Sequence, residues 1–242
     1  MTFQRKLRIC WALIGLAAMV SACAGKIPER GSPEWTKRVM VKKEILVSTD
    51  DVPDTGLKVV RAVGWSPISH QAAWEIFQDI PAMKTYLYRI VESEELPRQG
   101  DKRIIRLVVN APPVALTSGY DKIDITAEVD ETISEDGKTM RGDFVAIKSN
   151  VKNAYGNWTV EEYEGGVLIY FSMFIDFGKV FIPDDAANFF VKDFLERWGN
   201  DLRTYAELPA NKVRLEQAAA KRAGRDPNKV APVIEGMDDF VR

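Results

Sequence analysis

Side chains able to act as nucleophiles or metal ligands are scarce in this chain of 242 residues, which has one histidine and two cysteines. Zinc and copper sites of the usual kinds need several histidine or cysteine ligands, so we expect neither a metal nor a cofactor. The histidine, His70, ends the segment Ser66-Pro67-Ile68-Ser69-His70, which predicts a helix start, and we expect a first-turn surface residue rather than a catalytic one. Neither a Gly-x-Ser-x-Gly elbow nor a phosphate-binding glycine loop is present.

Acid–base chemistry would depend on carboxylates and phenols held in a buried site, where their pKa values are perturbed. The candidates are Asp176, Asp143, Tyr170 and Tyr86. No paired constellation supports them, and Asp176 is predicted to be the solvated end of a strand rather than a polar group inside a cavity. The sequence therefore identifies no catalytic residue and favours a protein that is not an enzyme.

The N-terminus has the layout of a cleavable export signal. Arg5, Lys6 and Arg8 form a positive segment, residues 9–20 an apolar one, and small residues precede Cys23. Residues 9–24 would give a transmembrane anchor of about 16 residues, fewer than the roughly 20 that cross a bilayer. We therefore predict a signal peptide over residues 1–22.

The tetrapeptide Val20-Ser21-Ala22-Cys23 resembles the lipobox of bacterial lipoproteins. The resemblance implies that Cys23 is acylated, for example with palmitate, and becomes the first residue, and several fatty chains hold a protein stably on a membrane. Ala24 follows the cysteine, where an aspartate usually retains members of that family in the inner membrane. The resemblance thus implies a protein of the bacterial cell envelope, anchored to the outer membrane and facing the periplasm. Cys10 leaves with the signal, so no thiol remains for a disulfide.

The net charge and the length limit the expected partners and the domain organisation of the mature chain. Residues 1–22 carry three positive charges and no negative ones, so removing them changes the formal net charge from -2 to about -5, and nucleic acid is not an expected partner. We predict a lipidated tether and N-terminal extension over residues 23–56, a folded domain over 57–208, and a C-terminal helix and tail over 209–242. Residues 26–32 have the composition of a tether, whereas 33–48 fit a charged helix or an edge strand equally well.

Hydrophobic periodicity predicts a domain with an antiparallel sheet. Leu57–Gly64 is predicted as a strand, and a short helix follows from Pro67, capped by Ser66 and ended by Pro81. The further predicted strands are Tyr86–Leu96, Arg103–Asn110, Ile123–Ile133, Thr139–Val151, Gly156–Tyr163 and Val167–Phe177. The last is apolar at nearly every position, so we expect it to be covered on both faces.

A long amphipathic helix closes the predicted domain. Pro183-Asp184-Asp185 places aspartates at the positive end of the helix dipole, and Pro209 ends the helix. A continuous apolar stripe runs along it, formed by Ala187, Val191, Phe194, Trp198, Leu202 and Tyr205. We expect this stripe to pack against the sheet.

The order strand, short helix, about six antiparallel strands and long helix resembles the α+β helix-grip fold of the START-like superfamily, also called SRPBCC. The residues that carry the resemblance are Ser69–Ile80, Gly156–Val160, Gly165–Tyr170 and Ile182-Pro183. They are more similar to the polyketide-cyclase and coenzyme-Q-binding branch than to the sterol carriers. The resemblance implies a curved sheet wrapped around the C-terminal helix, with an elongated apolar space between them.

A pocket of that kind takes most of its binding free energy from the burial of apolar surface. The resemblance therefore implies a lipid, a fatty acid or a quinone-like compound as ligand. The wall positions predicted to line the pocket are Phe77, Tyr86, Ile125, Val145, Ile147, Trp158, Phe171, Met173, Phe190, Phe194 and Trp198. Trp158 fits equally well as a structural anchor of the sheet whose indole N–H is satisfied locally.

Three functions remain open on the sequence. The first is a lipid-anchored periplasmic protein that holds or shuttles an apolar ligand. The second is a cyclase- or hydrolase-like enzyme of the same superfamily, and the third is an envelope interaction module with a filled core. The sequence leaves the identity of the ligand, the oligomeric state and the protein partners undetermined.

Overall fold

The computed structural model describes residues 27–113, 121–178 and 182–226. The predicted signal peptide, Cys23 and most of the predicted C-terminal tail lie outside these residues. Within them, the helix-grip architecture expected from the sequence is confirmed.

Eight strands form one antiparallel sheet in the order β1-β2-β8-β7-β6-β5-β4-β3. The strands are β1 (Leu46–Asp51), β2 (Lys58–Ser66), β3 (Ile90–Gln99), β4 (Lys102–Asn110), β5 (Lys122–Ile133), β6 (Thr139–Ser149), β7 (Asn153–Tyr163) and β8 (Gly166–Asp176). Every pair of neighbouring strands except β2 and β8 is also consecutive in sequence. Most neighbouring strands are therefore connected directly along the chain. The pairing of β2 with β8 brings a strand from the N-terminal part of the sheet next to its last strand in sequence.

The helices of the described residues are α1 (Pro33–Thr36), which continues into a π-helical turn (Lys37–Val41), then α2 (His70–Gln78), a 3-10 turn (Ile80–Ala82), α3 (Met83–Tyr86), α4 (Asp184–Glu207) and α5 (Pro209–Arg222). The long helix α4 matches the predicted one, with aspartates in its first turn and its apolar stripe against the inner face of the sheet. Among the residues that the structure places, none of the helices is both long and apolar enough to cross a bilayer.

Helix α2 begins one turn later than predicted. Its N-cap is Ser69, whose hydroxyl accepts a hydrogen bond of 3.1 Å from the backbone N–H of Ala72, and not Ser66, which belongs to the end of β2. Either serine satisfies the capping preference. The strand pairing decides between them, because Ser66 is committed to the ladder opposite Val167 of β8.

The C-terminus of α2 is held by a buried cation on β4. Arg103 donates hydrogen bonds to the backbone carbonyls of Phe77 (3.0 Å) and Gln78 (2.9 Å). Its guanidinium also pairs with Glu95 at 2.7 Å and Glu131 at 2.9 Å. A positive charge is favourable at this end of a helix, and the two carboxylates compensate its desolvation. This clamp fixes Phe77 over the sheet.

The outer face of the sheet is covered at the β1-β2-β8 end by the N-terminal segment. We call this apolar layer the outer cluster; its members are Trp35, Val39, Leu46, Val63, Trp65 and Leu168. Val167 and Leu168 of β8 are both fully buried, so this strand is covered on both faces as predicted. Residues 33–48 combine the two predicted possibilities, since they form a helical segment and then the start of edge strand β1.

The extension on each side of the predicted domain contributes to the fold. The boundary predicted at Leu57 falls between two paired strands of one sheet. At the other end, α5 lies against α2, where Glu216 accepts hydrogen bonds from the backbone N–H and the hydroxyl of Ser69, and Arg222 pairs with the buried Glu75 at 2.5 Å. Residues 209–222 therefore pack as part of the domain.

Candidate functional site

A cavity of about 70 Å³ lies between the inner face of the sheet and helix α4. Its walls come from α2, from strands β4 to β8 and from α4, and their inward side chains are apolar. Asn157 and Ser172 also border the cavity, but they alternate with the inward-facing Trp158 and Phe171 and line a groove on the outer face. Their side chains therefore belong to the other side of the sheet.

The structure brings eight of the predicted wall residues together around this cavity. They are Phe77, Ile125, Trp158, Phe171, Met173, Phe190, Phe194 and Trp198. All of them are on the face that alternation and helical periodicity assign to the interior. Whether they bind a ligand remains a prediction.

Two predicted wall residues lie on the outer face, and the expectation that they line the cavity is wrong. Val145 and Ile147 of β6 are 55% and 47% exposed. The register explains the error, because Ala146 pairs with the inward-facing Ala127 of β5, and Phe144 with Val129. The even-numbered residues from Met140 to Ala146 therefore face inward, before a register shift, and the prediction assigns the opposite face of the strand to the interior.

Tyr86 is also absent from the wall. It ends α3, and its ring stacks on that of Tyr205 of α4, with a centroid distance of 3.9 Å. Its hydroxyl is buried without a hydrogen-bond partner, and this burial raises the pKa of Tyr86 well above its ordinary value. The side chain packs at the end of the core instead of lining the cavity.

Several wall residues were not predicted. They are Ile80, Met83, Ile105, Leu107, Val109, Ile123, Ala127, Phe144 and Ile175. The alternation in β5 identified Ile123 and Ala127 as apolar-face residues, so that signal was available. In β4 no such signal exists, because Ile104 and Val108 are as apolar and as buried as their neighbours. Periodicity therefore cannot show which face of β4 points inward.

Aromatic side chains of α4 occupy most of the space between helix and sheet. The ring centroids of Phe190 and Phe194 are 5.5 Å apart, and those of Phe194 and Trp198 are 4.3 Å apart. The indole N–H of Trp198 donates a hydrogen bond of 3.1 Å to the backbone carbonyl of Tyr88, which fixes its ring. These three rings, the α4 aromatic row, explain why the cavity is small.

Trp158 stands opposite this row on β7. Its indole is stacked on Phe77 at 5.5 Å with an interplanar angle of 7°, and on Phe144 at 6.1 Å. Gly142 of β6, its register partner, leaves the room for the indole, because a Cβ at this glycine would lie within 2.7 Å of the indole nitrogen. The indole N–H is buried and has no hydrogen-bond partner. The alternative prediction, in which Trp158 anchors the sheet and its indole N–H finds a nearby acceptor, is therefore wrong about the hydrogen bond.

The residues considered for proton transfer do not meet at the cavity. Asp143 pairs with Arg141 on the outer face, at 2.5 and 2.7 Å. Tyr170 also faces outward, and burial together with the nearby Glu161 raises its pKa to about 12. Asp176 forms an ion pair of 2.8 Å with Lys152 at the strand end. Partial burial alone would raise the pKa of Asp176. The hydrogen bonds from Lys152 and from the backbone N–H of Gly178 outweigh this effect, so the pKa is lowered. No titratable side chain lines the cavity within the described ranges.

His70 was expected on the surface and is buried instead, with 8% exposed. Its Nε2 lies 2.9 Å from the carbonyl oxygen of Gly137, in the β5–β6 turn. The contact joins the first turn of α2 to the β5–β6 turn. The histidine joins two elements away from the cavity, which is a structural role.

Comparison with known proteins shows the fold. No protein-family model and no curated protein matches the sequence. Among solved structures, a STAR-related lipid transfer protein from Xanthomonas axonopodis has 19% identity and a TM-score of 0.58, covering 68% of this chain and 94% of its own. Human StAR-related lipid transfer protein 5 has 12% identity and a TM-score of 0.55, covering 83% and 94%.

The lipid transfer and protein localization domain of human StarD13 is similar at 11% identity, with a TM-score of 0.53 and coverage of 68% and 86%. This chain therefore has the helix-grip fold of START-like domains, and the resemblance to that superfamily is confirmed at the level of the fold. Fold alone does not transfer a function, so the function must come from the site.

Proposed function

We propose that the protein is a lipid-anchored, periplasm-facing binding protein that holds or carries an apolar ligand in the cavity between the sheet and α4. The single observation that carries the proposal is an internal space whose inward side chains are apolar. Burial of apolar surface would supply the binding free energy. Lipid-transfer proteins that share the fold support the same class of ligand.

The cavity must enlarge before a lipid enters. Its 70 Å³ is below the about 150 Å³ of an engineered apolar cavity that binds benzene, and far below the roughly 300–1,000 Å³ of ordinary ligand sites. The obvious movable part is the α4 aromatic row, since Phe190 and Phe194 carry no polar anchor of their own. We propose that the structure is the closed state and that the rings of Phe190 and Phe194 move aside when the ligand binds.

A lipid anchor at Cys23 fits this task. Ile27 packs on the outer cluster, only four residues after Cys23. Four residues span at most about 14 Å, so an acylated Cys23 would hold the domain close to the bilayer. That position raises the effective concentration of membrane-derived ligands at the pocket.

The test of ligand binding is to extract the purified full-length protein with organic solvent and analyse the extract by mass spectrometry. We expect a stoichiometric apolar compound from the wild type. Ala127→Leu, which puts a larger side chain into the cavity wall, should lower the recovered amount. Val145→Leu, a substitution on the exposed outer face, is the matched control and should leave it unchanged. An empty extract, together with no uptake of a fluorescent lipid probe, would contradict the proposal.

The test of the anchor is Cys23→Ser. We expect the wild-type protein to sediment with outer membranes and its N-terminal peptide to carry the mass of the acyl groups. The variant should lose both properties. A wild-type protein that begins at Met1, without added mass, would contradict the anchor and leave the cavity argument untouched.

The small volume of the cavity favours a second candidate, an envelope interaction module with a filled core. In that case neither extraction nor the lipid probe should detect a ligand, and Ala127→Leu should destabilise the fold by overpacking. The two candidates therefore predict opposite results in the extraction experiment.

A further inference from the structure

Trp158 differs from two other buried tryptophans of the domain in one respect. The indole N–H of Trp65 donates to the carbonyl of Tyr163 at 3.3 Å, and that of Trp198 donates to the carbonyl of Tyr88 at 3.1 Å. Trp158 lines the cavity and is 6% exposed, and its indole N–H has no partner in the part of the chain that the structure describes. A buried donor without an acceptor costs free energy, so this position needs an explanation.

The indole cannot turn to find an acceptor in the protein. Phe77 and Phe144 stack on it, and its nitrogen-bearing edge lies over Gly142. The Arg103 clamp holds the end of α2, and with it Phe77. The ring is therefore fixed by packing, and its donor stays buried and unpaired, among the described residues, in a side chain that lines an otherwise apolar space.

An ordered water is a poor partner at this place. Buried waters make about three hydrogen bonds on average, whereas the inward side chains around the cavity offer this one N–H group. A ligand with a single acceptor and an apolar body matches the wall better.

We infer that the Trp158 N–H is the hydrogen-bond donor of the ligand site, and that the ligand is a neutral apolar molecule carrying an acceptor oxygen, such as a ketone, ester or quinone. This inference rests on the proposed function and narrows it. An ionised carboxylate is excluded because no cationic side chain lines the cavity among the described residues, and a buried charge without a partner is strongly unfavourable. The acceptor oxygen of the ligand would lie beside Trp158, and the apolar part of the ligand would extend toward the α4 aromatic row.

Three matched probes test this inference: 2-undecanone, its hydrocarbon isostere 2-methylundecane, and decanoate. Their affinities are measured by displacement of a fluorescent lipid probe from the full-length protein in lipid nanodiscs. Partition of each probe into the nanodisc lipid is the same for wild type and variants, so it cancels in their comparison. We expect the ratio of ketone to hydrocarbon affinity to be about tenfold higher in the wild type than in Trp158→Phe, the size of one hydrogen bond, and decanoate to bind the wild type most weakly.

The variants separate the N–H group from the ring. Trp158→Phe keeps an aromatic side chain and should remove most of the preference for the ketone. Trp65→Phe is the matched control, because it makes the same change at a buried tryptophan of the outer cluster, away from the cavity, whose N–H is already bonded to Tyr163. This control should keep the preference.

A measurement on the wild type covers the case in which a variant does not fold. In the ¹H–¹⁵N spectrum of the indole groups, the Trp158 signal, assigned through its contacts with Phe77, should move downfield with 2-undecanone and stay in place with 2-methylundecane.

The same ketone-to-hydrocarbon affinity ratio in wild type and Trp158→Phe, or an unmoved signal with bound ketone, would overturn the inference and leave the carrier proposal intact. Tight binding of decanoate would overturn the restriction to neutral ligands. If none of the probes binds and no lipid is extracted, the proposed function fails and this inference fails with it.

Discussion

The two faces of the sheet carry apolar layers that are built differently. On the outer face, Trp35 and Leu168 are buried in the outer cluster, beside an open groove, and the Trp65 N–H has an acceptor. On the inner face, the rings of α4 and Trp158 leave a cavity, and the Trp158 N–H has none. A layer of closely packed side chains whose buried indole donor is satisfied serves stability. A layer that tolerates a void and an unsatisfied donor gives up stability, which is the usual sign of a site.

The largest effect should come from the outer cluster. Trp35→Ala removes a ring that is 2% exposed and makes an edge contact of 5.6 Å with Tyr163. We expect the free energy of unfolding in urea to fall by about 3–5 kcal/mol, because the lost ring is buried among the apolar side chains of the cluster. Val41→Ala, at a position that is 73% exposed, is the control and should change little. A loss below about 1 kcal/mol would show that the N-terminal segment only rests on the sheet.

The corresponding change on the inner face is Phe194→Ala. Its cost should be about 3 kcal/mol, the lower end of the range for such substitutions, because part of the ring faces the cavity instead of other atoms. The sharper distinction is rescue by a ligand. Saturating toluene should raise the melting temperature of Phe194→Ala more than that of Trp35→Ala, as measured by calorimetry. Equal rescue of both variants would remove the contrast between the two faces.

A smaller effect should follow from Gly142→Ala. The new Cβ collides with the indole of Trp158, which stacking prevents from moving away. We expect a loss of about 1–3 kcal/mol, as is typical of overpacking. In the Trp158→Phe background the loss should be smaller, because the nitrogen-bearing ring edge is gone, and a double-mutant cycle measures this coupling. Additive losses would mean that the glycine is needed for another reason.

The smallest effect should come from Val145→Ser and Ile147→Ser. Both side chains are exposed on the outer face of β6, away from the cavity and the outer cluster. We expect changes within about 0.5 kcal/mol and an unchanged yield of extracted ligand. A lower yield of extracted ligand in either variant would show that these residues line the site. It would also contradict the register of β5 and β6.

The order of elements was accessible from sequence because it depends on local signals. The alternation of Ile123 to Val129 defined one face of β5, and Pro183 and Pro209 bounded α4. The end of β2 was less clear, since Ser66 and Ser69 are both good caps and only strand pairing separates them. In β6, both the even-numbered Phe144 and Ala146 and the odd-numbered Val145 and Ile147 are apolar. The sequence pattern alone therefore does not show which pair faces inward.

By itself, the sequence determined the fold class, the long C-terminal helix, an inward row of aromatic side chains and a strand covered on both faces. Periodicity and chain order suffice for these features, because side-chain direction follows from backbone geometry. Only the tertiary structure decided which face of β6 lies inside, how little space the α4 rings leave, and that Trp158 has no acceptor. Each of these depends on register and on packing between residues far apart in the chain, which local patterns do not encode.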